Sequence, residues 1–185
     1  EDLEPRSYAN TPVGINFLLI GYSDLDGNVT ANPSIPLEDA KLNIKTVVFA
    51  FARSLDVWGR SGKFDIVVPE AKLTGSALLA GEPRERDVTG LIDPRFRFSV
   101  NLYGAPAMSL AEFPAYQQDV IIGASLAITA PLGQYDDSRL INLGNNRWSF
   151  KPELGVSKRV GQVTLELSGA GTFFTDNDEL LGDHV

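Results

Sequence analysis

Hydrophobic and polar residues alternate with a period of two along most of this chain. The clearest stretch is DPRFRFSVNLYG at residues 93–104, in which Phe96 and Phe98 share one parity with other apolar residues, while polar residues take the opposite parity. Successive side chains of a β-strand point to opposite faces, so this spacing predicts a strand with one apolar and one polar face. Residues 147–158 and 163–175 repeat the pattern.

Strands account for almost all of the structure that this periodicity predicts. The connections between them are polar, and they are long at residues 24–40, 77–89 and 132–146 and short at residues 55–62 and 159–162. The pattern indicates an all-β protein. The predicted strands cover residues 13–23, 41–54, 63–76, 90–103, 118–131, 147–158 and 163–175.

Pro69 and Pro152 are two of the prolines that lie inside the predicted strands. On the parity of Phe64, the residues are apolar as far as Val68 and become polar from Glu70 onward. A one-residue slip of this kind is what a β-bulge produces, and proline is tolerated at a bulge, so Pro69 is predicted to mark one. Pro152 lies well inside the sixth predicted strand, and the sequence offers no account of it.

One segment predicts a short helix. In residues 107–116, AMSLAEFPAY, Ser109 is a suitable N-cap and Glu112 stands three positions later. Serine followed at that spacing by glutamate is the signature of a capping box.

Alternation does not show which face of each strand meets water. In a soluble sandwich the apolar face is the core, whereas in a membrane barrel it contacts lipid and the polar face lines the lumen. Two features favour the membrane: the predicted strands are longer than the five or six residues usual in globular sheets, and aromatic residues lie near strand ends. These predicted interfacial aromatics are Tyr22, Trp58, Tyr103, Tyr135 and Trp148.

Composition limits the remaining classes. The 185 residues carry a net charge of -8 and show no concentrated basic surface, which argues against nucleic acid as a partner. No run of about 18 apolar residues is present, so the sequence predicts no transmembrane helix. Cysteine is absent, and the single histidine, His184, is the penultimate residue. We therefore predict no catalytic residues, no metal site and no cofactor.

Three strings resemble a known outer-membrane family: FSVNLYGAPA, PLGQYDDSRLINLGNNRWSFKPELGVSK and TFFTDND. The family is the one labelled for the meta-pathway of phenol degradation, whose members are often called transporters, and the similarity runs from about Glu4 to Asp178. The resemblance implies an antiparallel up-and-down transmembrane β-barrel of about twelve strands in the Gram-negative outer membrane, with lipid as a partner. Because about seven strands are visible, we expect residues 1–185 to form a single barrel domain that lacks its C-terminal strands.

The polar parity of the strands gives the only functional indication. Charged and apolar positions along a lumen would suit the passive passage of small hydrophobic or aromatic solutes, in a porin-like manner. Two alternatives stay open: a structural or interaction barrel with a closed lumen, and a soluble β-sandwich or ligand-binding barrel. The predicted lumen-lining residues are Lys45, Phe49, Phe51, Arg53, Arg95, Arg97, Lys151, Glu153 and Glu166.

Overall fold

Nine antiparallel strands form one curled sheet in the computed structural model, which describes residues 7–28, 37–79, 81–139 and 141–177. Neighbours in the sheet follow the order β1-β2-β3-β5-β6-β7-β8, while β4 pairs with the second half of β3 and β9 with the start of β7. The strands are β1 Asn16–Asn28, β2 Leu37–Val57, β3 Arg60–Leu79, β4 Glu82–Leu91, β5 Arg95–Tyr103, β6 Val120–Thr129, β7 Ser149–Val160, β8 Val163–Ala170 and β9 Phe173–Phe174.

The architecture confirms the predicted all-β antiparallel class, and each predicted strand overlaps an observed one. The described strands belong to one sheet, whereas a β-sandwich would need two packed sheets. Two connections were predicted wrongly. Of the predicted loop 24–40, the residues up to Asn28 belong to β1 and those from Leu37 belong to β2. Residues 77–89 are not a long loop but the paired ends of β3 and β4. Most outward positions of this hairpin are polar, so it lacks the apolar alternation that identifies strands in sequence.

The two faces of the sheet have different surroundings. Residues 7–15 cover the face that carries Asn101, Gly123 and Gly155, which we call the inner face. The outer face bears most of the large exposed hydrophobic side chains, including Leu154, which is 62% exposed. Others on this face are Leu18, Ile20, Phe49, Phe51, Phe98, Leu126, Phe150, Val156, Leu165 and Leu167.

Pro69 does not mark a bulge, because β2 and β3 stay in regular register through the pair Val48 and Pro69. The change from apolar to polar residues after Val68 is a change along the outer face itself. Beyond this level the outer face carries ion pairs, such as the 3.8 Å contact between Asp24 and Lys45. The apolar residues therefore form a band of limited height, and the strands continue past it.

Both prolines lie opposite a break in a neighbouring strand. Pro69 faces the gap between β5 and β4, where its carbonyl accepts a hydrogen bond from Ile92 N at 2.8 Å. Pro152 faces the gap between β8 and β9, where its carbonyl accepts a bond from Gly171 N at 3.3 Å. Proline has no N–H and cannot donate the second hydrogen bond of an antiparallel pair. Because the neighbouring strand is interrupted at these positions, the loss of that bond removes little regular pairing.

The predicted helix is reduced to a 3-10 turn at Phe113–Ala115. The capping box is nevertheless present: Ser109 N donates to Glu112 Oε2 at 2.9 Å, and Glu112 N donates to Ser109 Oγ at 3.3 Å. Hydrogen bonds from Ser109 lower the pKa of the Glu112 carboxyl. Across the described residues, no helix has the length and apolar character needed to cross a membrane.

The position of Pro152 gives a test of this account. Pro152→Ala should change the free energy of unfolding by less than about 1 kcal/mol, since the ladder is already interrupted beside it. Leu154→Pro, two residues further along β7 and opposite Gly169 within the regular ladder, should lower that free energy by about 1–3 kcal/mol, because a ladder hydrogen bond is lost. Urea unfolding of the complete protein in detergent measures both, and equal losses would contradict the explanation.

Candidate functional site

Three neighbouring rows of side chains cross the inner face of the sheet. Cross-strand partners lie side by side, so the register gives the order of the residues from the β1 side to the β7 side. The rows are Leu19, Ala50, Val67, Arg95, Thr129 and Ser149; then Phe17, Ala52, Asp65, Arg97, Ala127 and Lys151; then Ser54, Lys63, Ser99, Ser125 and Glu153.

The character of these rows changes from one side of the sheet to the other. On β1 to β3 they contain an apolar inner patch, and on β5 and β7 they contain a basic cluster. The basic cluster consists of Arg95, Arg97 and Lys151. The apolar inner patch consists of Phe17, Leu19, Ala50, Ala52 and Val67.

Ion pairs connect β3 to the basic cluster. Arg97 Nε donates to Asp65 Oδ2 at 3.2 Å, and the two side chains are 14% and 17% exposed. Lys63 Nζ approaches the other oxygen of Asp65 at 3.8 Å. Pairing of the Asp65 carboxylate with these two cations offsets the cost of removing it from water.

Two cavities flank the arginines. One, of about 110 Å³, is lined by Arg95, Arg97, Lys151 and Glu153 together with small side chains, most of them hydroxyl-bearing. The other, of about 220 Å³, lies between the same two arginines and the apolar inner patch. The inner face thus offers adjoining polar and apolar spaces that share Arg95 and Arg97.

An N-terminal strap, residues 7–15, lies across the inner face. Its Tyr8 is 6% exposed and its hydroxyl donates to Glu153 Oε1 at 2.8 Å, while Asn101 Nδ2 donates to the Tyr8 carbonyl at 3.1 Å. Burial raises the pKa of the Tyr8 phenol to about 12, and the bond to Glu153 acts in the same direction. Tyr8 therefore stays protonated, as a hydrogen-bond donor, at physiological pH.

The Tyr8 ring fits a notch made by two glycines. Gly123 on β6 and Gly155 on β7 are cross-strand partners, and a Cβ atom on either would overlap the ring. Only glycine leaves this space, so the pair fixes where the strap can lie against the sheet.

Further hydrogen bonds hold the strap at the end of the sheet near the β2–β3 turn. Asn10 Nδ2 donates to the Pro106 carbonyl at 3.2 Å, and Val13 N donates to the Met108 carbonyl at 2.8 Å. Ser54, which is 1% exposed, bonds to the strap backbone through its hydroxyl and main chain. The strap is thus a fixed part of the inner face.

The β6–β7 connection, residues 130–148, approaches the inner face at the other end of the sheet. Asp93, in the gap between β4 and β5, accepts hydrogen bonds from Gly133 N at 2.8 Å and Asn145 N at 2.7 Å. The Gln134 side chain lies against Gly90, where an added Cβ would come within 2.8 Å of it. Because β4 ends before Asp93 and β5 begins after it, Asp93 takes no part in strand pairing. Its carboxylate instead bonds to the backbone of the β6–β7 connection.

The tip of the β6–β7 connection has its own hydrogen bonds. Arg86 Nε donates to the Ile141 carbonyl at 3.1 Å, which joins the tip to β4. Within the tip, Ser138 Oγ and Ser138 N donate to Asp136 Oδ1 at 2.6 and 3.0 Å. These bonds lower the pKa of the Asp136 carboxyl. The β6–β7 connection is therefore joined to β4 and ordered by its own hydrogen bonds.

Of the predicted lumen residues, the structure places Arg95, Arg97, Lys151 and Glu153 together on the inner face. Glu166 shares that face but pairs with Ser157, four positions from Glu153 along β7, so it lies apart from the cluster. That these side chains line an open lumen remains a prediction.

Four of the predicted lumen residues lie on the opposite face, so their assignment was wrong. The register aligns Phe51 with Ile66, and Ile66 with Phe96, which is an outer-face residue of β5. The β2 strand is apolar on both parities, and alternation therefore could not distinguish its faces. The residues corrected to the outer face are Lys45, Phe49, Phe51 and Arg53.

The predicted interfacial aromatics occupy different positions. Tyr22, Trp58, Tyr103 and Trp148 are exposed, and Trp58 is 96% exposed in the β2–β3 turn with φ of 52°. Tyr135 lies in the β6–β7 connection, where its hydroxyl accepts a bond from Asn177 Nδ2 at 3.1 Å. Contact of these rings with a membrane interface stays a prediction.

Several site residues were missed in the sequence. Lys63 and Asp65 alternate with Phe64 and Ile66, so the signal for an inner-facing charged pair was present. Tyr8 stands in a segment without periodicity, and no sequence signal indicates its notch. Across residues 7–28, 37–79, 81–139 and 141–177, no cluster of potential metal ligands occurs, and His184 lies outside these ranges.

A curled antiparallel sheet with an apolar outer face and a charged inner face is the architecture of an outer-membrane β-barrel wall. The structure is similar to the crystal structure of the COG4313 outer membrane channel from Pseudomonas putida F1, with a TM-score of 0.67 and 20% sequence identity. The match covers 96% of this chain and 62% of that channel, so this chain spans less than two thirds of the channel's length. At this identity, the likeness shows the fold.

A family model matches residues 23–184, and its description is "Putative MetA-pathway of phenol degradation". The chain belongs to this family, which confirms the resemblance seen in the sequence. Neither the family nor the structural relative is described as an enzyme. No curated protein matches the sequence.

The glycine notch generates a prediction. Gly155→Ala should displace the Tyr8 ring, lower the free energy of unfolding by about 1–3 kcal/mol and increase hydrogen exchange in the strap, because the new methyl group overlaps the ring. Gly169→Ala on β8 is the matched control, since nothing lies within 4 Å of its added Cβ. Unchanged strap protection in Gly155→Ala would contradict the notch.

Proposed function

We propose that this chain belongs to an outer-membrane channel of Gram-negative bacteria through which small solutes, including hydrophobic or aromatic compounds, pass by diffusion. The observation that carries the proposal is the two-faced sheet. Its outer face exposes large apolar side chains from β1 to β8, while its inner face carries Arg95, Arg97, Lys151 and Glu153. Such a sheet suits hydrocarbon on one side and a polar passage on the other.

The comparisons support the class of function. The fold matches that of a protein described as an outer-membrane channel, and the family description refers to phenol degradation. A pathway label is an association and does not identify a solute. The adjoining polar and apolar spaces on the inner face support solutes of mixed character over inorganic ions.

A barrel with a closed lumen is the second candidate, and one observation favours it. The strap covers Gly123 and Gly155 from one end of the inner face, and the β6–β7 connection covers Gly90 from the other. Both are fixed by hydrogen bonds to the strands. Covering elements of this kind narrow a lumen, and the two candidates differ in whether solute still passes.

The membrane location has its own test. Leu154 lies near the middle of the apolar band on β7, so Leu154→Arg should lower the free energy of unfolding in lipid vesicles by about 2–4 kcal/mol. Val160 also lies on the outer face but at the end of β7, and Val160→Arg should cost only about 0–1 kcal/mol. Small, equal effects of the two substitutions would favour a soluble protein.

Conductance distinguishes the channel from the closed barrel. The complete protein, reconstituted in planar lipid bilayers, should give discrete open-channel currents. Folding is checked separately by the heat-dependent shift in gel mobility that is typical of outer-membrane barrels. A folded protein that passes no current would support the closed barrel and overturn the channel.

A further inference from the structure

We infer that the inner face binds amphipathic organic anions, with a carboxylate at the basic cluster and an apolar body on the apolar inner patch. The inference rests on the proposed function and adds the class of solute. It comes from the juxtaposition of two cavities, of about 110 and 220 Å³, that share Arg95 and Arg97.

The charge balance of the described rows favours an anion. Their ionisable side chains are four cations, Lys63, Arg95, Arg97 and Lys151, and two anions, Asp65 and Glu153. Asp65 already bonds to Arg97 and Lys63, and Glu153 accepts the Tyr8 hydroxyl. A cationic ligand would compete with these bonds, whereas a carboxylate would add to the network.

Arginine is suited to a carboxylate even when it has other partners. Each guanidinium has five N–H donors in a planar fork, and it can hold both oxygens of a carboxylate together. Arg95 and Arg97 are successive inner-face residues of β5, and Lys151 lies on β7 in the row of Arg97. The small residue Ala127 lies between Arg97 and Lys151 and leaves space at the centre of the cluster.

The apolar inner patch distinguishes an organic anion from an inorganic one. Phe17 and Leu19 are 49% and 58% exposed on this face, and their row partners Ala52 and Ala50 are small. The cavity between these residues and the arginines is lined mainly by apolar side chains, with Lys63 and Asp65 at its polar side. An aromatic or aliphatic body bound there would bury apolar surface while its carboxylate reached Arg95.

Block of the ion current provides the test on the complete protein in planar bilayers. Three probes separate the contributions: benzoate has the ring and the charge, benzamide has the ring alone, and acetate has the charge alone. Benzoate should halve the current at a concentration about tenfold lower than either of the others, because it uses both parts of the site.

Substitutions with matched controls assign the effect to this site. Lys151→Gln should raise the half-blocking concentration of benzoate about tenfold, while Lys158→Gln, on the outer face of the same strand, should leave it unchanged. Leu19→Ser should bring the benzoate value towards that of acetate, while Leu18→Ser on the outer face should not. Heat-dependent gel mobility confirms that each variant is folded.

The outcomes separate this inference from the proposed function. A wild-type protein that is folded but passes no current overturns the channel and the anion site with it. A current that benzoate and benzamide reduce equally retains the channel and overturns the anion site. Equal effects of Lys151→Gln and Lys158→Gln on the benzoate block also overturn it.

Discussion

The structure depends on the requirement that each strand present two different environments at once. On β3 and β5, Asp65 and Arg97 meet on the inner face while Phe64 and Phe98 meet on the outer face. A shift of one residue would exchange the two sets, placing the ion pair among the apolar residues and the rings among the charges. The ionic network and the apolar band therefore select the same register, and neither alone would hold it as firmly. The strap and the cavities take their positions from that register.

Sequence predicted the strands well where the two parities differ strongly. In β5 and β7 one parity is almost wholly apolar, and the face of Arg95, Arg97, Lys151 and Glu153 followed directly. Prediction failed for β2, where Val48, Ala50 and Ala52 oppose Val47, Phe49 and Phe51. An apolar section of the inner face does exist, but it is built from Phe17, Leu19, Ala50, Ala52 and Val67. Only pairing with β3 distinguishes the two possibilities.

Other features depend on contacts between segments that are distant in sequence, and the periodicity of the sequence gives no information about such contacts. Tyr8 meets Glu153 across 145 positions of sequence, and its notch needs two glycines from different strands. Pro69 and Pro152 are explained by gaps in the neighbouring strands, so the explanation lies outside the strands that contain the prolines. The capping box at Ser109 was visible in sequence because all of its partners are local.

The limited height of the apolar band has a consequence for the shape of the protein. β2 has 21 residues, which corresponds to about 70 Å of strand. Tilted at about 40°, such a strand rises about 50 Å, whereas the lipid-facing band of an outer-membrane barrel is about 25 Å tall. The end of β1, the start of β2, the end of β3 and β4 would then extend beyond the bilayer as a hydrated wall. A molecule that approaches from that side would first enter a space bordered by these strands, outside the bilayer, before it reaches the level of the lipid.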